Sequence, residues 1–132
     1  MTGLALVTFL GAGYTHMEGR YADNVRRGLE WLKAQQRTDG DLGGSAGNFS
    51  RMYCHAMAAL ALSEAYGMTQ SALFREPSQR AMDFIAQSRN PYLAWRYGVR
   101  DGDNDTSVTG WMIMALKSAK ASGLEVDSGA FR

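Results

Sequence analysis

The chain has 132 residues, 45% of them hydrophobic, with 14 basic side chains against 13 acidic ones and a single cysteine. That length allows one modest core. The interleaved charges contain no polybasic run to follow a phosphate backbone, which excludes nucleic acid as a partner. Cys54 has no mate for an intramolecular disulfide, and an unpaired cysteine favours a reducing, cytoplasmic setting while leaving the compartment open. No apolar stretch approaches the roughly eighteen residues of a membrane span.

The run Leu4–Gly13 is apolar nearly all round, as expected of a helix buried on most sides, here residues 2–15. No Lys or Arg precedes it, so the positive region of a secretory signal is missing. A second, amphipathic helix is expected over 23–36, with Asp23 as its N-cap and Val25, Leu29 and Leu32 along its apolar stripe. Residues 38–50 are too rich in glycine and serine for regular helix. The small apolar core AMAALALSEA predicts a third helix over 52–66, stopped by Gly67. Residues 70–77 read as a link to a fourth helix over 78–89, with Ala81, Met82, Phe84 and Ile85 inward and Pro91 as breaker. A fifth helix over 106–122 is capped by Asp105, Thr106 or Ser107 and ended by Gly123.

The chain repeats. Arg27–Gly44, RGLEWLKAQQRTDGDLGG, overlies Arg80–Tyr97, RAMDFIAQSRNPYLAWRY, at a spacing of 53. Arg27 meets Arg80, Leu29 meets Met82, Trp31 meets Phe84, Leu32 meets Ile85 and Leu42 meets Trp95. Leu62 meets Leu116 at 54, and Thr2-Gly3 meets Thr109-Gly110 at 107. Nearly uncharged helices alternate with half-wet ones, which predicts an all-α fold of repeated antiparallel helical hairpins. The inner helices are then 2–15, 52–66 and 106–122, and the outer ones 23–36 and 78–89, about two and a half units in all. The first inner helix has no outer partner ahead of it, so the chain reads as a piece of a larger protein, or as an oligomer if both ends are genuine.

The signature Trp31-Leu32, Gln36, Asp39-Gly40 and, in the second copy, Phe84-Ile85 and Trp95 resembles the prenyltransferase and squalene-oxidase repeat of terpene cyclases and protein prenyltransferase β subunits. Leu42 stands where a Trp is expected in the first copy, and Arg89 where a Gln is expected in the second. The resemblance implies a segment of an α/α toroid, in which inner helices surround a central cavity. Gln36, Asp39, Gly40 and Trp95 are then the joint between hairpins, the Gln bonding free helix-end groups and the Trp covering the seam.

Three sets of residues are candidates for chemistry. Asp101-Gly-Asp103-Asn-Asp105-Thr106 is similar to the Asp-x-Asp-Asp-Thr of cyclases that start by protonation, which nominates Asp103 and Asp105 as catalytic acids. Asn104 falls at or beside the acid position, and an amide cannot supply the proton. Carboxylates ahead of a helix otherwise serve as cap and dipole partner. The same stretch fails as a calcium loop, because Thr106 and Met112 fill the positions of the required Gly and distal Glu. Cys54 and His55 open a helix similar to the zinc-site helix of protein prenyltransferases, but the matching Asp and second Cys are missing, and a metal site is not expected. Tyr53, Met57, Trp111 and Met114 could line an apolar cavity, or simply fill the core. The reading that follows is a non-catalytic helical repeat domain, without a cofactor, that binds an apolar small molecule or a protein partner. A segment of a terpene-cyclase-like enzyme acting on isoprenoids and a purely structural scaffold are the alternatives.

Overall fold

A computed structural model describes residues 1–131. Among them the chain forms five α-helices and a short C-terminal 3-10 turn, with no strand. The helices are α1 (Thr2–Gly11), α2 (Ala22–Gln35), α3 (Arg51–Thr69), α4 (Ala72–Ser88) and α5 (Thr106–Ala121). None of the described helices is long and apolar enough to cross a membrane.

The alternation of apolar and half-wet helices becomes two layers. The apolar α3 lies at the centre, flanked by α1 on one side and α5 on the other, with α4 across its back. The outer helices each bury one stripe: Val25, Leu29 and Leu32 of α2, and Phe74, Ala81, Met82 and Ile85 of α4. Small residues set the spacing of the inner layer. A Cβ on Gly3 would stand 2.7 Å from the Ala58 nitrogen, so α1 can approach α3 this closely only with glycine there. Ala56, Ala58, Ala59, Ala61 and Ala65 line the buried sides of α3.

Helix ends differ from the sequence expectation where a distant contact intervenes. Gly67 does not stop α3. The helix continues to Thr69 and turns out through Gln70 in the left-handed region (φ 53°), because Gly67 lies against Ser122, whose Cβ would be 3.1 Å from a Cβ at that glycine. Helix α4 begins at Ala72 rather than 78, with Pro77 inside it. Proline removes the N–H that would bond to the Leu73 carbonyl. Lys33 Nζ donates to that carbonyl instead, at 3.3 Å. The first helix ends at Gly11 rather than at residue 15, and Tyr21 rather than Asp23 occupies the N-cap of α2, leaving Asp23 in the first turn beside the positive end of the helix dipole.

The two joints repeat bond for bond. In the first, the N–H groups of Gln36, Arg37 and Gly40 donate to the carbonyls of Lys33, Asp41 and Arg37; in the second, those of Arg89, Asn90 and Leu93 donate to Ala86, Ala94 and Asn90. Each residue lies 53 after its counterpart. Gln36 Nε2 donates to Gly40 O at 3.1 Å, and Arg89, in the Gln position, donates through Nε to Leu93 O at 2.7 Å. Gln36 Nε2 also reaches Pro77 O of the next outer helix at 2.9 Å, and Trp95, fully buried, donates its Nε1–H to Ile85 O at 2.8 Å. The Gln and the Trp are structural, as expected of a joint.

Candidate functional site: the inner-helix face

Helical spacing places Tyr53, Met57, Leu60 and Glu64 along one stripe of α3, and Ser107, Trp111, Met114 and Ser118 along one stripe of α5. Each member of the second stripe lies 54 residues after a member of the first. The end pairs are hydrogen-bonded. Tyr53 Oη and Ser107 Oγ share a hydrogen bond at 3.0 Å, and Ser118 Oγ donates to Glu64 Oε1 at 2.6 Å. Between them stand two apolar pairs, Met57 with Trp111 and Leu60 with Met114. In α1 the positions 53 before Met57 and Leu60 are Leu4 and Val7, which carries the apolar band across a third helix.

This band is the side of the inner layer that no outer helix covers. Leu4 is 37% exposed and Met114 45%, while Tyr53, Met57, Trp111 and Val7 are half-buried and Leu60 is nearly closed off. All four residues nominated from the sequence as ligand contacts thus fall on one face. They form an open apolar band bracketed by polar pairs. Surface depressions of about 490 Å³ beside Arg89 and Tyr92 and about 450 Å³ beside Lys117 and Phe131 are lined by other residues.

The acidic candidates separate. Asp105 is the N-cap of α5, its Oδ1 accepting the Val108 N–H at 2.8 Å. That bond, outweighing the opposing effect of desolvation and helped by lesser donation from Ser107, Tyr53 and Tyr97, holds its carboxyl below the usual carboxylate range. The Tyr53 hydroxyl lies 3.4 Å from Oδ1 and the Tyr97 hydroxyl 3.4 Å from Oδ2. Phe49, 75% exposed, stacks edge-on against Tyr97 at 5.2 Å between ring centres. A carboxyl that four donors keep ionised is a poor acid for an alkene, which needs a raised pKa. Asp103 is exposed and ion-pairs with Arg96. The centre of the acidic loop is filled by the Asn90 amide, whose Nδ2 donates to the Asp103 carbonyl and lies 3.4 Å from both Asp101 Oδ1 and Asn104 Oδ1.

Cys54 and His55 part company as well. His55 is fully buried, accepts the Leu42 N–H on Nδ1 at 3.0 Å and donates from Nε2 to Ala81 O at 3.1 Å. Both ring nitrogens are therefore committed to backbone, the ring is neutral, and burial depresses its pKa to about 4. Asp41 Oδ1 lies 3.6 Å from Nδ1, but that lone pair faces Leu42, so the two are not an ion pair at neutral pH. Asp41, itself buried, instead takes the guanidinium of Arg51 through Nε (2.9 Å) and Nη2, and the Gly43 N–H at 2.8 Å. Cys54 is half-buried beside Gly3 and Ala58, at the rim of a depression of about 280 Å³. Among the described residues no three His, Cys, Asp or Glu side chains converge as metal ligands would.

Tyr97 and Phe49 were not singled out from the sequence. Both are aromatics in the connector just ahead of an inner helix, and that position is the one signal that could have found them. Comparison of the chain with protein-family models, curated proteins and solved structures finds no match.

Proposed function

We propose that this chain is a prenyltransferase/squalene-oxidase-like repeat domain, a segment of an α/α toroid, whose inner-helix face binds an apolar ligand or the apolar surface of a protein partner without catalysing a reaction. The observation that carries the reading is the band of Leu4, Val7, Met57, Trp111 and Met114, contiguous in register across three helices and bracketed by the Tyr53–Ser107 and Glu64–Ser118 pairs. Contiguous exposed apolar surface with a polar rim is the usual mark of a recognition surface. Methionine and tryptophan suit a ligand of irregular shape, the one by flexibility and the other by area. The bond-for-bond joints support the repeat resemblance. The cyclase alternative loses support because Asp105 is held ionised and Asp103 is tied to Arg96.

The test is calorimetric titration of the protein with a linear isoprenoid alcohol and with an alkane-chain detergent monomer as a non-isoprenoid control. Binding that weakens at least about tenfold in Trp111→Ala, the size expected for losing one well-packed aromatic, and in Met57→Ser supports the proposal. Binding that ignores both substitutions sinks it. Product formation from the isoprenoid that disappears in Asp105→Asn would restore the enzyme reading.

A further inference from the structure

The repeat assigns a neighbour to every inner helix, and two of those assignments are unfilled. On α3, Ala58, Ala61, Leu62 and Ala65 are buried, and α1 packs along this helix through Gly3. On α5 the residues 54 later, Met112, Ala115, Leu116 and Ala119, are buried as well, α5 packing on α3. On α1 the residues 53 earlier are Ala5, Thr8, Phe9 and Ala12, and of these only Phe9 is even half-covered. This side of α1 carries no charge and is built like the faces that α3 and α5 bury.

The complementary face is equally open. Gly3 of α1 meets Ala58 and Met57 of α3. Its counterpart in α3, Ala56, is fully buried; its counterpart in α5, Gly110, is exposed, and a Cβ there would meet nothing within 4 Å. Ile113 and Met114 beside it are half-buried and 45% exposed, where Ala59 and Leu60 of α3 are buried. The α1–α3 contact therefore has both of its halves presented free, one at each edge of the inner layer.

We propose that a second copy of this chain continues the layer, its α1 lying on α5 of the first with Leu4 and Ala5 over Gly110. The occupant follows from continuity with an interface already in the molecule. The surface that fits the α1 edge is the one Gly3 and Ala56 present internally, and among the described helices its free version is on α5. The contact is heterologous, so association runs head to tail and either closes into a ring or extends with concentration.

The test is sedimentation velocity over a concentration series up to about 1 mM, the weak end of specific recognition. It is run on the unsubstituted chain, on Ala5→Glu, on Gly110→Glu and on an equimolar mixture of the two variants. Both positions are exposed, and unchanged helical circular dichroism checks folding. The chain should sediment as species larger than a monomer, each variant alone as a monomer, and the mixture as a dimer that grows no further, because each variant keeps one of the two faces. A monomer at all concentrations overturns the proposal and leaves these edges to a helix of other origin. Association that survives both substitutions, or a mixture that stays monomeric, overturns it too.

Discussion

Leu42 donates its backbone N–H to Nδ1 of His55 at 3.0 Å, and at the matching place in the next unit Trp95 donates its N–H to Oγ1 of Thr109 at 3.2 Å. The same strap ties each joint to the inner helix that follows, once through an imidazole and once through a hydroxyl. Only the first version titrates. His55 has an ordinary pKa near 6.5 unfolded and about 4 folded, burial outweighing the opposite pull of Asp41 and Asp39. Between those values the unfolded chain binds a proton that the folded one refuses, so stability falls as pH drops from 6.5 towards 4. The loss is on the order of 2–3 kcal/mol, and His16, also lowered by burial and by Arg26, adds to it in the same direction. Urea unfolding at pH 7 and pH 4.5 measures it. His55→Asn keeps an acceptor near Leu42, should cost about 1–2 kcal/mol at pH 7 through the abandoned Ala81 carbonyl, and should flatten most of the pH dependence.

Gly3 and Gly110 are repeat counterparts with opposite surroundings, so the same substitution should have opposite signs. Gly3→Ala drives a methyl into the α3 backbone and should destabilise by about 1–3 kcal/mol. Gly110→Ala meets open space inside a helix and should stabilise by about 0.5–1 kcal/mol. Thermal melts at one low protein concentration, where no association contributes, check the pair.

The buried Asp41 carboxylate is anchored by Arg51 and Gly43. Arg51→Ala removes its two-point cation, leaving Arg37 at 3.7 Å as the remaining charge partner, and should cost about 2–3 kcal/mol, whereas Asp41→Asn keeps the Gly43 bond and costs less. Chemical denaturation ranks the two. The repeat also predicts that Arg89→Gln, which restores the residue type of the first joint, changes stability by under about 0.5 kcal/mol.

Asp105 is a cap before it is anything else. Asp105→Ala should lose about 1 kcal/mol, while Asp105→Asn, which still accepts the Val108 N–H, should stay close to the parent. Ligand binding at the inner-helix face should survive Asp103→Asn and Asp105→Asn alike, measured in the same titration.

The hairpin order, the joint and, to within Asp105, Thr106 or Ser107, the cap of α5 were legible in the sequence because they are local. Apolar periodicity marks each helix, and a spacing of 53 links Gln36 to Arg89 and Leu42 to Trp95. What was not legible depends on partners far along the chain. Residues 70–77 read as a link until Lys33, 44 residues before Pro77, satisfies the carbonyl that the proline frees. Gly67 reads as a stop until Ser122 packs against it. His55 reads as a buried, satisfied histidine, but that its partners are the backbone of Leu42 and Ala81 could not be read. The candidate face was half legible. Tyr53, Met57, Trp111 and Met114 were picked by residue type, but their alignment in rows needed the α3–α5 register that the Tyr53–Ser107 bond displays.

The most direct test of a ligand-binding inner-helix face is a methyl and indole NMR map of the protein titrated with a linear isoprenoid alcohol. Shifts should concentrate at Leu4, Val7, Met57, Leu60, Trp111 and Met114, with the joint residues Leu42 and Trp95 unmoved. Shifts confined to the joints or scattered over the outer helices α2 and α4 would contradict it.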